Sequence, residues 1–208
     1  MCRAVILMLT AACLSGCNIL AYPAYVLFGQ SEKKVKAEYT GLEKQTTLIF
    51  VVTNPAIDFE YPYTGLNIAL ASADRIAKQI EDTRFVDPEA VDKYQREKID
   101  WLSSPIAEIG QHFQASRVLY IDMVQFTMRE EDSLNLLRAH IAAEIRMHEI
   151  DSVTPDKPAY QTDLEVLYPK LGPSLFSDEA HAMIYQQSIA LFAEELAKKF
   201  YDHKEPIE

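Results

Sequence analysis

The sequence predicts an α/β (α+β) sandwich: one mixed sheet of about four to five strands with three to four packed helices, in the order β-α-α-α-β-β-β-α. Three observations predict it. Residues 45–53, QTTLIFVVT, form a continuous β-branched and aromatic run, as a strand buried on both faces requires. Residues 136–151 alternate: Leu137, Ala139, Ile141, Ala143, Ile145 and Met147 interleave with Arg138, His140, Glu144, Arg146 and His148, the period of a half-buried strand. Residues 178–203 repeat apolar side chains at three and four, the period of an amphipathic helix.

In chain order, residues 31–44 are charged and read as an irregular lead-in to the strand at 45–53. Asn54-Pro55 breaks that strand, and 56–65, AIDFEYPYTG, reads as an aromatic loop. Leu66, Ile68, Ala69, Ala73, Ile76, Ala77 and Ile80 give a helix over 66–82. Residues 83–86 are a short extended piece. Asp87 caps and Pro88 opens a second helix that runs to about Lys98, and a third covers about 105–113. A strand at 117–128, RVLYIDMVQFTM, and the alternating strand at 136–151 enclose an acidic hairpin link. A polar turn at 151–158 leads to a third antiparallel strand at 159–168 and a loop to Ser177, which caps the last helix. Its buried face is predicted as Ala182, Tyr185, Ile189, Ala193, Leu196 and Phe200. The crossover from the first strand to the 117–128 strand is parallel, and the last three strands form a meander.

The amino terminus carries a different signal. One charge, Arg3, precedes an apolar run from Ala4 to Ala12 that is too short to span a bilayer, the pattern of a secretory signal. Leu14-Ser15-Gly16-Cys17 resembles the bacterial lipobox, which implies cleavage before Cys17 and diacylation of its thiol with chains such as palmitate. Residues 1–16 are then signal peptide, 17–44 a lipidated tether, 45–203 one α/β domain and 204–208 a tail. By the same resemblance Asn18, standing where aspartate retains lipoproteins in the inner membrane, favours the periplasmic face of the outer membrane. The stretch from Asn18 to Gly29 is apolar and holds Tyr22, Tyr25 and Phe28. Such rings favour the membrane interface, where the ring is half buried and a hydroxyl stays wet; packing on the domain is the alternative.

Cysteine and charge counts narrow the function classes. Cys2 and Cys13 lie within residues 1–16, so the mature chain keeps Cys17 alone and makes no disulfide. About 190 mature residues bury a sizeable core without one. The chain has 20 basic and 31 acidic residues; loss of Arg3 leaves 19 against 31, a net charge of −12. An overall field of that sign excludes nucleic acid as a partner through bulk charge. Lys33, Lys34 and Lys36 form a small basic cluster and read as a solvated tether.

The run Leu48–Thr53, the Thr83-Arg84-Phe85-Val86 tetrapeptide after the first helix, and Ile109-Gly110 leading through Ala115 to Val118-Leu119-Tyr120 carry a resemblance. They resemble envelope lipoproteins of the CsgG and LpoB type, whose domain is shared with the amino-terminal domain of TolB. The resemblance spans roughly residues 45–200 and rests on short, structural motifs. It implies the same sandwich and a role beside an envelope protein partner such as a cell-wall synthase or secretion channel. Asp122 departs from it, standing near a place where that group usually has glycine, and the long insertion of a pore subunit is missing, which argues for the small accessory type.

No GxSxG, HExxH, P-loop or dinucleotide fingerprint occurs, and the six glycines are scattered. His140, Glu144 and His148 share one side of a strand. The two histidines, eight residues apart, stand about 26 Å from each other and cannot share an ion; a solvated face with cross-strand ion pairs is the expectation. Asp122, between Ile121 and Met123, reads as a carboxylate in an apolar strand, either paired with arginine or functional. For binding, Phe59, Tyr61 and Tyr63 flank Pro62 and offer rigid amphipathic contact area. Ile184 and Leu191, seven apart beside Glu195 and Lys198, offer a second seam. The expected function is therefore a non-enzymatic lipoprotein, without metal or cofactor, anchored through acylated Cys17 and docking on an envelope protein. The rivals are a small-ligand or lipid-binding lipoprotein and a hydrolase using carboxylates such as Asp122.

Overall fold

The computed structural model describes residues 32–98 and 100–207. Along the chain come β1 (Glu32–Val35), β2 (Thr46–Val52), α1 (Pro55–Glu60), α2 (Thr64–Ala77), β3 (Arg84–Phe85), α3 (Pro88–Glu97) and α4 (Ile106–His112). Then follow β4 (Arg117–Arg129), β5 (Leu136–Glu149), β6 (Tyr160–Tyr168), β7 (Ser174–Leu175), α5 (Asp178–Ala197) and β8 (His203–Pro206). Among the described residues no helix is long and apolar enough to cross a membrane.

The chain divides into two compact units. One contains a two-stranded ribbon, β1 antiparallel to β8, pairing Glu32 with Pro206 and Val35 with His203. Lys204 donates to Glu32 at 2.7 Å across it. Residues 32–35, expected as irregular lead-in, and 203–206, expected as helix end and tail, thus form strands. The reason is long-range: these segments offer each other complementary charges and backbone partners, a pairing that sequence periodicity over four residues does not reveal.

The other unit, Ala37–Tyr201, is the predicted α/β sandwich. Its sheet runs β3-β2-β4-β5-β6, with β7 pairing the end of β5. β2 lies parallel to both β3 and β4, while β4, β5 and β6 form the antiparallel meander. β2 is buried on both faces. Ile49 and Val51 enter a large core with Ile68 and Ile76 of α2 and Ile184, Phe192 and Leu196 of α5. Leu48 and Phe50 enter a smaller core with Val91 of α3, Ile109 of α4, Ala115 and Val118. β5 alternates as its sequence does, with Leu137, Ala139, Ile141, Ala143, Ile145 and Met147 in the large core.

The close seat of α4 depends on Gly110. A Cβ there would stand 2.6 Å from Ile150 Cγ1 and 3.1 Å from Val118 Cγ2, so only glycine lets the helix approach the ends of β4 and β5. Residues 37–44 are fastened below the sheet: Leu42 is fully buried, Thr83 donates to its carbonyl at 3.0 Å, and Arg117 Nε donates to Gly41 O at 3.1 Å.

Two local readings need correction. The aromatic loop at 56–65 holds a helix, α1, because Asn54 caps it: its Oδ1 accepts from the N–H groups of Ala56 and Ile57 at 3.0 Å each, and Pro55 occupies the first turn. Asn54-Pro55 therefore both ends a strand and starts a helix, like Asp87-Pro88 further on, whose Asp87 accepts from Glu89 N at 3.0 Å. The last helix ends at Ala197, followed by one 3-10 turn, Lys198–Phe200. On it Ala182 is exposed and Ile184 fully buried, the reverse of the expected faces. α5 packs against α2 as well as β4, β5 and β6, so its buried arc is wider than one stripe.

Candidate functional site

The segment from Thr53 to Asn67 forms an elbow at the carboxyl end of β2. After the Asn54 cap, Thr53 Oγ1 donates to Asp58 Oδ1 at 2.5 Å. α1 closes when the Tyr61 N–H donates to Ile57 O at 2.7 Å. Tyr63 then takes the left-handed conformation, φ 66°, as the N-cap of α2, a backbone state uncommon for a bulky residue and held only when the surroundings fix it. Here they do. Buried Thr64 donates from Oγ1 to Tyr61 O at 2.8 Å and lies 3.1 Å from the Tyr185 hydroxyl. Asn67 Nδ2 donates to that hydroxyl at 3.0 Å.

The three aromatic residues of the elbow divide. Phe59 is 92 % exposed and Tyr63 60 % exposed, while Tyr61 is buried. The Tyr61 ring packs on Phe126 (5.1 Å between centroids) and lies near-parallel to His181 (6.3 Å) and Tyr185 (6.4 Å). Its hydroxyl donates to Glu60 Oε1 at 2.8 Å. Burial first, then that carboxylate, push its pKa above the ordinary phenol range. Tyr61 is thus a wall of the site rather than a surface anchor. The Arg96 guanidinium stands 5.9 Å from the centre of the Tyr63 ring.

Four concavities meet at this elbow. A groove of about 720 Å³ has Glu60 and Tyr61 on one side and Thr127, Arg138 and His140 on the other. A cleft of about 530 Å³ is lined by Tyr61, Asn67, His181, Tyr185 and Gln186. A crevice of about 330 Å³ lies between Thr53, Asp58, Tyr63 and Gly65 and the Asp92, Arg96 and Trp101 side chains. A smaller hollow of about 210 Å³ separates α1 from Val124 to Thr127 of β4. The crevice has a topological cause. β2 is flanked by parallel strands on both sides, and the connections leave on opposite faces, α2 over the large core and α3 with α4 over the small one. Open α/β sheets bind ligands at such a switch point, outside the carboxyl ends of the strands.

The other predicted residues fall elsewhere. Ile184 is buried in the large core and presents nothing to a partner. Leu191 is half-buried and lines a fifth concavity, about 370 Å³, between β6 and α5. Asp122 is not sealed in the core. Its side chain is 42 % exposed, and Arg146 stands 3.3 Å from it and 3.6 Å from Glu144. That guanidinium also lies 4.5 Å from the centre of the Tyr120 ring. The pleat explains this: Ile121 and Met123 face the large core, and Asp122 faces the opposite side of the sheet, next to Tyr120 at the margin of the small core.

Of the strand triplet, His140 Nε2 is 2.7 Å from Glu165 Oε1, and Glu144 accepts from Gln161 Nε2 at 2.6 Å. His148 departs from the solvated face expected of it. It is 2 % exposed, with Nδ1 3.1 Å from Pro155 O, because the 151–158 turn folds over it. Among the described residues no group of three or more His, Cys, Asp or Glu is placed to hold a metal ion. Cys17, Tyr22, Tyr25 and Phe28 lie outside the described residues.

Sequence reasoning missed Tyr185, His181, Asn67 and Arg96 as parts of the site. Tyr185 reads as core by its period, and nothing local marks the elbow as its neighbour 121 residues away.

No protein-family model matches the chain, and no curated protein matches it. Solved structures are similar at a distance. A PelC dodecamer from Paraburkholderia phytofirmans aligns with TM-score 0.45 and 10 % identity, over 80 % of this chain and 96 % of that one. Lipoprotein GNA1162 from Neisseria meningitidis aligns with TM-score 0.41 and 14 % identity, over 71 % of this chain and 97 % of that one. Uncharacterized lipoprotein B from Nitrosomonas europaea aligns with TM-score 0.32 and 10 % identity, over 78 % and 87 %. Likenesses this distant carry no argument about function.

Proposed function

We propose that the protein is a bacterial envelope lipoprotein, diacylated on Cys17, whose α/β domain docks without catalysis on a protein partner through the Phe59–Tyr63 elbow. The observation that carries the docking is the elbow's combination of exposure and rigidity. Phe59 and Tyr63 offer two large rings to solvent from a backbone fixed by the Asn54 cap and the Thr64–Tyr185–Asn67 hydrogen bonds. A preorganised aromatic anchor loses little entropy on binding and is the type of side chain that dominates interface energies. The Leu14-Ser15-Gly16-Cys17 run supports the anchor, and Asn18 supports the outer membrane. A lipid tether raises the domain's effective concentration beside a membrane-bound target. The resemblance to the CsgG, LpoB and TolB group is consistent with an accessory role of this kind.

A second reading, binding of a small ligand, draws on the cleft lined by Tyr61, Tyr185, His181 and Asn67, which joins aromatic walls to a few polar groups.

The test is made in bacterial cells producing the full chain. Labelled palmitate is expected in the wild type and absent from Cys17→Ala. Chemical crosslinking in the envelope is expected to give one dominant adduct, lost in Phe59→Glu and weakened in Cys17→Ala. An adduct pattern unchanged in Phe59→Glu contradicts docking through the elbow.

A further inference from the structure

The fifth concavity shares Arg138 with the groove at the elbow but includes neither Phe59 nor Tyr63, and it has a strand edge of its own. β6 is the last strand of the sheet, nine residues long, with no strand on its outer side among the described residues. Such an edge presents unpaired N–H and C=O groups to any extended chain. Beside it runs the groove between β6 and α5, with Leu164 and Val166 of β6 and Leu191 of α5 as its apolar walls.

Its charges are uneven once their partners are counted. Glu165 stands 2.7 Å from His140, Glu195 accepts from Lys198 at 2.9 Å, and Lys199 donates to Glu38 at 2.7 Å. Two cations remain. Lys170 is exposed and has no partner among the described residues. Arg138 is the more telling one. Its side chain is three-quarters buried and makes no hydrogen bond among the described residues; its one ion pair there, to Glu130 Oε2, is long at 3.8 Å. Its Nε is shut off from solvent and unpartnered. A guanidinium carries five donors in a fixed fork suited to a carboxylate, and leaving such donors buried and unmade is costly.

We propose that the groove between β6 and α5 receives an extended peptide segment of the protein partner, added as a strand to the β6 edge, with a peptide carboxylate held by Arg138 and Lys170. Edge addition supplies main-chain hydrogen bonds, alternate apolar side chains fill the Leu164–Val166–Leu191 trough, and the unsatisfied guanidinium selects the anion. The carboxylate is either the chain's free end or an Asp or Glu within it. The inference rests on the docking reading and names a second contact for the same partner.

The test is fluorescence anisotropy of the full-length lipidated protein in detergent micelles. The probe is a dye-labelled peptide of about six alternating Val and Thr residues. It is used as free acid, as terminal amide, and as amide with one internal Asp. At least one carboxylate form is expected to bind about ten-fold more tightly than the neutral amide, the step worth one charge-assisted pair. Which form gains identifies the source of the carboxylate. Arg138→Gln is expected to erase the advantage. Lys170→Glu, on an exposed loop where folding is not at stake, is expected to reduce it, and Leu191→Asp to weaken all three peptides. Equal binding of acid and amide, no binding, an advantage that survives Arg138→Gln and Lys170→Glu, or Arg138-dependent capture of phosphatidylglycerol vesicles in place of peptide would each overturn the proposal. Phe59 does not line this groove, and Lys170 and Leu191 do not line the elbow, so the Phe59 crosslink and the effects of Lys170→Glu and Leu191→Asp fail separately.

Discussion

The two faces of the meander are built from the same strands and do different work. On one face every second residue of β5, from Leu137 to Met147, is sealed in the large core, with α5 packed over it. On the other, the alternate residues of the same strand, Arg138, His140, Glu144 and Arg146, are half-buried and exchange ion pairs with β4 and β6. The dry face holds the fold together through apolar burial, which is large and non-directional. The wet face contributes little to stability, because partly exposed ion pairs return little net energy. Its value is chemical variety, and the concavities gather where the two faces meet at the rims.

The largest effect sharpens that contrast. Phe192→Ala in the large core is expected to lower unfolding free energy by about 3–5 kcal/mol, and Arg146→Ala on the wet face by about 1 kcal/mol or less. Denaturant melts of the two variants check it, and equal losses would break the comparison. Gly110→Ala comes next. Its methyl group would meet Ile150 and Val118, so a loss of about 1–3 kcal/mol is expected, and a neutral variant would show that α4 is free to shift. Asn54→Ala removes the cap of α1 and is expected to cost about 1 kcal/mol. Faster amide exchange confined to the elbow is the matching readout.

The smallest effect is in pH. Burial is the first cause that holds His148 below the ordinary histidine range, with the nearby Arg146 charge acting in the same direction; the Pro155 carbonyl opposes them. The unfolded chain therefore takes up a proton near pH 6.5 while the folded one does not. Stability is full above that pH, falls as pH drops below it, and levels off once the folded histidine also protonates. His148→Gln is expected to flatten that slope in melts between pH 7 and 5.

The sequence was informative where period and burial coincide. β2, β5 and the helices opened by Asp87 and Ser177 follow from apolar spacing and capping residues that act over a few neighbours. α1 was legible in principle, since Asn54-Pro55 is the same signal as Asp87-Pro88, but three aromatic residues in a ten-residue span obscure it. The β1–β8 ribbon was not legible: its strands are four residues each, polar, and 168 positions apart at the Val35–His203 pair. The site was half legible. Phe59 and Tyr63 stand out as aromatics beside a proline. The burial of Tyr61 and Ile184, and the unsatisfied Nε of Arg138, depend on surroundings that only the folded chain brings near.

The central claim is that the elbow faces a partner, and site-specific photo-crosslinking in intact envelope tests it most directly. A photoreactive residue placed at Phe59 is compared with one at Val153, which is fully exposed on the 151–158 turn. The account predicts a discrete adduct from position 59, dependent on Cys17, and none from 153. Equal labelling from both positions, or an adduct from 153 alone, would contradict it.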